Sequence, residues 1–225
     1  MRAHRGKFLI ERLIAEGEHE CQDFKFTISD ARKIARSLSA FANHKGGRLL
    51  IGVKDNGTVA GVRSEEDVYM IETAASTYCR PEPEVTFKAY RAGEEGNATV
   101  VVAEVARANP EGEMVCVREA DGRLCAYVRV ADENILAPDL MVRARSAASA
   151  MTGMLLTPGG PEMEVLDTLR RLGPSLPEKL LRTVRVSRPA AAAALERLLA
   201  IGTVSFTYTP RSGFLLTIPD VDLED

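Results

Sequence analysis

Two textures of hydrophobic patterning run along the chain. In the first, Phe8–Ala15 predicts an amphipathic helix with Phe8, Leu9, Leu13 and Ile14 on one side. Ser29 or Asp30 is placed to cap a second helix running to about Ala42, in which Ile34, Leu38 and Phe41 recur at helical spacing as a buried stripe. Asn43-His44-Lys45-Gly46-Gly47 ends it with turn chemistry. Leu49–Val53 is an apolar run suited to a buried strand, Asp55-Asn56-Gly57 a tight-turn signal, and Thr58–Val62 the expected returning strand. Glu65–Tyr78 reads as helix, then Val85–Tyr90, Thr99–Val105, Met114–Val117 and Leu124–Val130 as strands, with helix resuming from Pro138. Strands with interspersed helices predict an α+β fold with a mixed sheet.

The second texture follows Thr152–Pro161, TGMLLTPGGP, a stretch built like a linker. Met163, Val165, Leu166 and Leu169 mark one helix, and Leu176–Thr183 a second, shorter one. Arg188–Ala200 is a third, with Ser187 as its N-cap and Pro189 in its first turn. Val204–Thr209 and Phe214–Ile218 flank Pro210-Arg211-Ser212-Gly213 as a hairpin. Three helices and a hairpin resemble a winged helix-turn-helix. The expected organisation is residues 1–150, a linker at 151–161, a winged helix at 162–219 and an acidic tail at 220–225.

Composition narrows the function. The chain has 225 residues, a net charge of -3 and no Trp, which excludes a protein held on phosphates by bulk charge. Aromatics are 5%, too few for a broad base-stacking platform. No window reaches the ~18 apolar residues of a membrane span, and the N-terminal stretch lacks a signal peptide's apolar core, so a cytoplasmic protein with no membrane partner is expected. Cys21, Cys79, Cys116 and Cys125 form no CxxC pair and read as reduced thiols, and His4, His19 and His44 show no ligand spacing.

Charge is nonetheless uneven. Residues 1–63 carry 12 Lys/Arg against 7 Asp/Glu, residues 64–150 carry 9 against 16, and residues 161–219 carry 8 against 5. Two basic segments therefore flank an acidic one, so a local basic surface remains open.

The stretch richest in chemistry is Gly17-Glu18-His19-Glu20-Cys21-Gln22-Asp23-Phe24-Lys25, followed by Ala40-Phe41-Ala42-Asn43, Gly46-Gly47, Ile51-Gly52-Val53 and Asp55-Asn56-Gly57. Carboxylates at Glu18, Asp23 and Asp55 suit Mg²⁺ or Mn²⁺ if they converge, with Lys25 beside them; alternatively they form ion pairs at a strand edge and serve the turn. Gly46 and Gly47 stand after a helix and before a strand, the reverse of a phosphate-binding P-loop, and read as a turn.

As a set, these motifs over about residues 7–145, with Tyr127-Val128-Arg129-Val130 and Asn134, resemble the Schlafen/AlbA-type domain. Nuclease members of that family use two acids five residues apart plus a later aspartate. The resemblance implies that role for Glu18, Asp23 and Asp55, with Asp23 standing where the family has a longer Glu. It equally covers members that only bind DNA or regulate.

In the third helix of the second texture, five alanines offer little to base edges beyond contact with a thymine methyl. Arg185, Arg188 and Arg197, with Arg211 at the hairpin tip, are the cations expected to meet nucleic acid there, and Lys45 and Arg48 those of the first region. The expected function is a DNA-binding transcriptional regulator, dimeric or a larger homo-oligomer, with RNA as an alternative partner. The competing readings are a Mg²⁺- or Mn²⁺-dependent endoribonuclease and an assembly protein that pairs through its winged helix.

Overall fold

The computed structural model describes residues 3–62, 64–93, 97–110, 112–148 and 158–219. The expected linker falls largely, and the acidic tail wholly, outside the described residues. The elements run β1 (His4–Arg5), α1 (Lys7–Glu16), β2 (Gln22–Lys25), α2 (Ala31–Ala42), β3 (Gly47–Ile51) and α3 (Glu66–Thr73). They continue with β4 (Cys79–Arg80), β5 (Val85–Ala92), β6 (Ala98–Val105), β7 (Cys116–Arg118), β8 (Leu124–Val130) and β9 (Glu133–Leu136). The last are α4 (Asp139–Ala148), α5 (Pro161–Leu172), α6 (Pro177–Thr183), α7 (Arg188–Ala200), β10 (Ser205–Thr209) and β11 (Gly213–Thr217). The chain divides into two compact units, Met1–Pro110 with Met114–Ala137, and Glu111–Glu113 with Pro138–Asp225.

The first unit is α+β. Its five-stranded sheet, ordered β1-β5-β6-β3-β2, is mixed: β1 pairs with β5 and β2 with β3 in parallel, the rest antiparallel. A four-stranded sheet, β4-β7-β8-β9, is antiparallel. The apolar runs of β3 and β6 follow from burial on both faces. Leu49, Ile51, Val101, Ala103 and Val105 pack with Ile34, Leu38 and Phe41 of α2. Leu50, Val100 and Val102, at the alternate positions, pack with Ile10 and Leu13 of α1. Helix α2 also lies against β7, β8 and β9, so it joins the two sheets. Asp30 is its N-cap, accepting from the Arg32 and Lys33 amides at 2.9 and 3.3 Å.

Three expectations need correction. Phe8 does not join the buried side of α1: it is 87% exposed, while Ile10 and Leu13 are buried. At about 100° per residue, Leu9, Ile10, Leu13 and Ile14 form one arc and Phe8 falls on the opposite side. Thr58–Val62 is not a returning strand; its only ladder contact is a bridge between Val53 and Val59. The Ala60 and Gly61 amides instead both donate to the Gly52 carbonyl, at 2.9 and 2.8 Å, folding the segment across that glycine. The helix expected over Glu65–Tyr78 is α3 followed by a π-helical turn at Ala74–Tyr78.

The second unit has its own core: Leu140 of α4, Val165, Leu166 and Leu169 of α5, Leu180 of α6, Ala191, Ala194, Leu195 and Leu198 of α7, and Leu216 of β11. Ser175, between α5 and α6, bridges to Leu216, its amide donating at 3.1 Å and its carbonyl accepting at 2.8 Å. Helix α4 packs along α7, and Arg143 reaches Glu196 at 3.1 Å. Small side chains on α7 permit that approach. Among the described residues no helix is long and apolar enough to cross a membrane.

Candidate functional site

Strand alternation sorts the acidic–basic stretch. Phe24 of β2 packs with the α1 side of the large sheet, and Gln22 on the same face donates to the Leu13 and Gly17 carbonyls at 2.6 and 2.7 Å. Asp23 and Lys25 therefore face the other way, where the Lys25 ammonium holds both carboxylate oxygens of Asp23 at 2.8 and 2.9 Å. Glu18 accepts the Phe24 amide at 2.8 Å. Partial burial first, and then the neighbouring Asp23, push the Glu18 carboxyl above its ordinary range, opposed by the Phe24 amide and Lys25.

Arg129 of β8 lies beside these groups, only 3% exposed. It donates to Asn134 at 2.9 Å and to the His19 carbonyl at 2.9 Å, and its guanidinium lies 4.7 Å from the Phe41 ring centre. Its Nε has no hydrogen-bond partner. Burial lowers its pKa, and Asp23, Asp132 and Glu18 oppose that effect. Asp23, Lys25, Lys33, Arg36, Ser37 and Arg129 help line a cleft of about 610 Å³. A charged residue inside the apolar run Tyr127–Val130 was the available sign of Arg129's buried role.

The predicted triad of carboxylates is not assembled. Glu18 and Asp23 are neighbours, but Asp55 is exposed in the turn beyond β3. Among the described residues no group of three His, Cys, Asp or Glu side chains is arranged to hold a metal ion. Lys25 already neutralises Asp23. Of the Mg²⁺ or Mn²⁺ site that the family resemblance implied, the fold brings together only the Glu18–Asp23 pair.

The Ala-Phe-Ala-Asn and Gly-Gly motifs do structural work here. Asn43 accepts from the Val115 amide at 2.8 Å and donates to the Val115 and Tyr127 carbonyls, both at 2.9 Å. Ser39 bonds the same two residues, at 2.7 Å to the Val115 carbonyl and 3.0 Å from the Tyr127 amide. A side chain on Gly47 would lie 2.2 Å from the Phe41 ring, and one on Gly46 2.9 Å from the Val105 carbonyl. Nearby, Arg36 forks onto Glu119 at 2.6 and 2.8 Å, and the Tyr127 hydroxyl donates to Glu119 at 2.7 Å. Arg36 holds Glu119 below its usual range, and burial with the Glu119 contact pushes Tyr127 up to about 12.

The cations proposed from sequence divide into engaged and exposed sets. Lys45 bonds Glu20 at 2.7 Å, while Arg48 bonds Gln22 at 2.6 Å and pairs with Glu16. Arg197 pairs with the largely buried Glu162. Each is thus paired with an acid of this chain, Lys45 and Arg48 with acids at the surface. Arg185 and Arg188, at the start of α7, and Arg211, in the turn between β10 and β11, are exposed.

Residues 18–138, over half of the chain, match the family described as Schlafen, AlbA_2. The chain belongs to the Schlafen AlbA_2 family. Among solved structures, this Schlafen AlbA_2 chain is similar to the DIP2311 protein from Corynebacterium diphtheriae, at 20% identity and a TM-score of 0.43. That match covers 92% of this chain but only 37% of the other. No curated protein matches it.

Proposed function

We propose that this chain is a cytoplasmic DNA-binding transcriptional regulator whose second unit, over 162–219, is a winged helix-turn-helix. The observation that carries the reading is the arrangement of α5, α6, α7 and the β10–β11 hairpin, with the Ser175–Leu216 bridge tying the loop after α5 to the hairpin. Of the cations expected from sequence it leaves three outward: Arg185 and Arg188 where α7 begins, and Arg211 at the hairpin turn. Alanines dominate the rest of α7, so the contacts are to phosphates rather than base edges. Lys45, Arg48 and Arg197 are left out because each already pairs with an acid of this chain.

Duplex binding measured across a salt series tests this. Each of Arg185→Ala, Arg188→Ala and Arg211→Ala is expected to weaken binding and to flatten the log K against log salt slope by about 0.9. Binding that is absent, or insensitive to salt, defeats the proposal. A dimer by light scattering is expected with it.

The adjacent Glu18 and Asp23 carboxylates favour a metal-dependent endoribonuclease as the second reading. Mn²⁺-stimulated RNA cleavage abolished by Glu18→Ala supports that alternative. Cleavage that survives the substitution counts against it.

A further inference from the structure

The overturned expectation for Phe8 marks a second surface, on the first unit. Phe8 is the most exposed of the large hydrophobic side chains among the described residues. With Arg5, Gly6, Lys7, Leu9 and Arg91 it lines a groove of about 540 Å³. Among the described residues that lining contains three cationic side chains and no acid.

Strand pairing sharpens the anomaly. β1 and β5 are parallel, with Arg5 in register with Arg91, so two like charges stand side by side at the sheet edge. Like charges in that relation destabilise a sheet. Among the described residues neither arginine has an ion-pair partner. Lys7 stands beside them on the first turn of α1, 3.8 Å from Glu11 in an exposed pair. Gly6 lets the chain close onto Tyr90, because a side chain there would lie 2.4 Å from its ring, and this sets Phe8 next to the paired arginines.

We propose that this groove binds single-stranded nucleic acid, with a base stacked on Phe8 and the flanking phosphates between Arg5, Lys7 and Arg91. A polyanion relieves the arginine repulsion, and an aromatic face open to solvent is the platform that an unpaired base needs. A duplex keeps its bases stacked inside and gives Phe8 nothing to stack on. An anionic membrane surface calls for a broader apolar face than one phenyl ring beside a half-buried Leu9. The proposal uses none of the residues assigned to duplex binding, so each stands or falls by itself.

Fluorescence anisotropy of the full chain with labelled oligothymidylate tests it. Phe8→Ala is expected to weaken binding about tenfold and Phe8→Trp to preserve it, since stacking is set by the ring face. Arg5→Gln and Arg91→Gln are each expected to flatten the salt slope by about 0.7, the single-strand value. Phe8 and both arginines are exposed, so the fold is retained in all four variants. Affinity unchanged in Phe8→Ala overturns the proposal. So does binding to phosphatidylserine vesicles, but not to oligothymidylate, that requires Phe8. If Arg185→Ala with Arg188→Ala abolishes oligothymidylate binding and Phe8→Ala does not, the single-strand site lies on the second unit and the proposal fails, with the duplex reading intact. If duplex binding is absent while oligothymidylate binding still depends on Phe8, the duplex reading fails and this one holds.

Discussion

Asn43 supplies one acceptor and two donor contacts to the backbone of Val115 and Tyr127, residues far from it in sequence. Its removal strands a Val115 amide in a region closed to water. Asn43→Ala is therefore expected to cost about 2–3 kcal/mol, read from the urea midpoint at constant m. Gly47→Ala is expected to cost about 1–3 kcal/mol by driving a methyl into Phe41. Glu119 gives a pH dependence with a definite sign. Its folded pKa lies below the ordinary value of 4.5, so the folded state releases its proton more readily than the unfolded chain. The stability that it contributes is complete above about 4.5 and is lost as pH falls through the lower folded value. Glu119→Gln is expected to flatten stability against pH on that acid side, with little change in slope above pH 6 or so. Glu18 has the opposite sign, because its pKa is raised: charging it as pH rises costs the fold. Glu18→Gln keeps an acceptor for the Phe24 amide and is expected to be neutral or stabilising near pH 7. A clear loss of stability in Glu18→Gln at that pH contradicts this account.

At the scale of elements, α7 serves two masters. Ala191 and Ala194 are fully buried in the second core, whereas Ala193 is exposed. Ala194→Leu is expected to overpack that core and cost about 1–3 kcal/mol. Ala193→Glu is expected to leave the melting temperature nearly unchanged and to weaken duplex binding, since it sets an anion among the phosphates. If duplex affinity is unaffected by Ala193→Glu, α7 does not lie in a groove. Element identity was largely legible in the sequence. α2, α7 and the β10–β11 hairpin declare themselves by period, cap position and turn residues, all local signals. The short strands β1, β2 and β9 do not. Gln22–Lys25 alternates without an apolar majority, and what makes it a strand is pairing with β3. Hydrophobicity alone does not choose the side of α1 on which Phe8 lies; the angle around the helix decides it.

For the whole molecule, the two units have hydrophobic cores that share no residue. Substitutions in one core are expected to leave the other unit's unfolding unmoved. In calorimetry, Asn43→Ala should lower the transition of the first unit and Ala194→Leu that of the second. A single transition shifted equally by both substitutions defeats this expectation. The net charge of -3 is likewise a poor guide by itself. Several of the first segment's cations are held by acids of that same segment, as in Lys45–Glu20, Arg48–Glu16 and Lys25–Asp23. Among the outward cations, those of the two proposed surfaces are Arg5 and Arg91 on one unit and Arg185, Arg188 and Arg211 on the other.

The amino-acid sequence by itself determined the α+β class, the change of texture between the two halves, the family motifs and the positions of most helices, because periodicity, caps and turns are written within a few neighbouring residues. Tertiary structure alone decided which of the motif residues meet. It brought Glu18 next to Asp23 and left Asp55 in an outlying turn, gave Asn43 its partners in β7 and β8, buried Arg129, and turned Phe8 out beside Arg5 and Arg91. Those outcomes depend on strand register and on which face of a helix finds a partner. Such choices are set by contacts between residues distant in the chain, and no local pattern carries them.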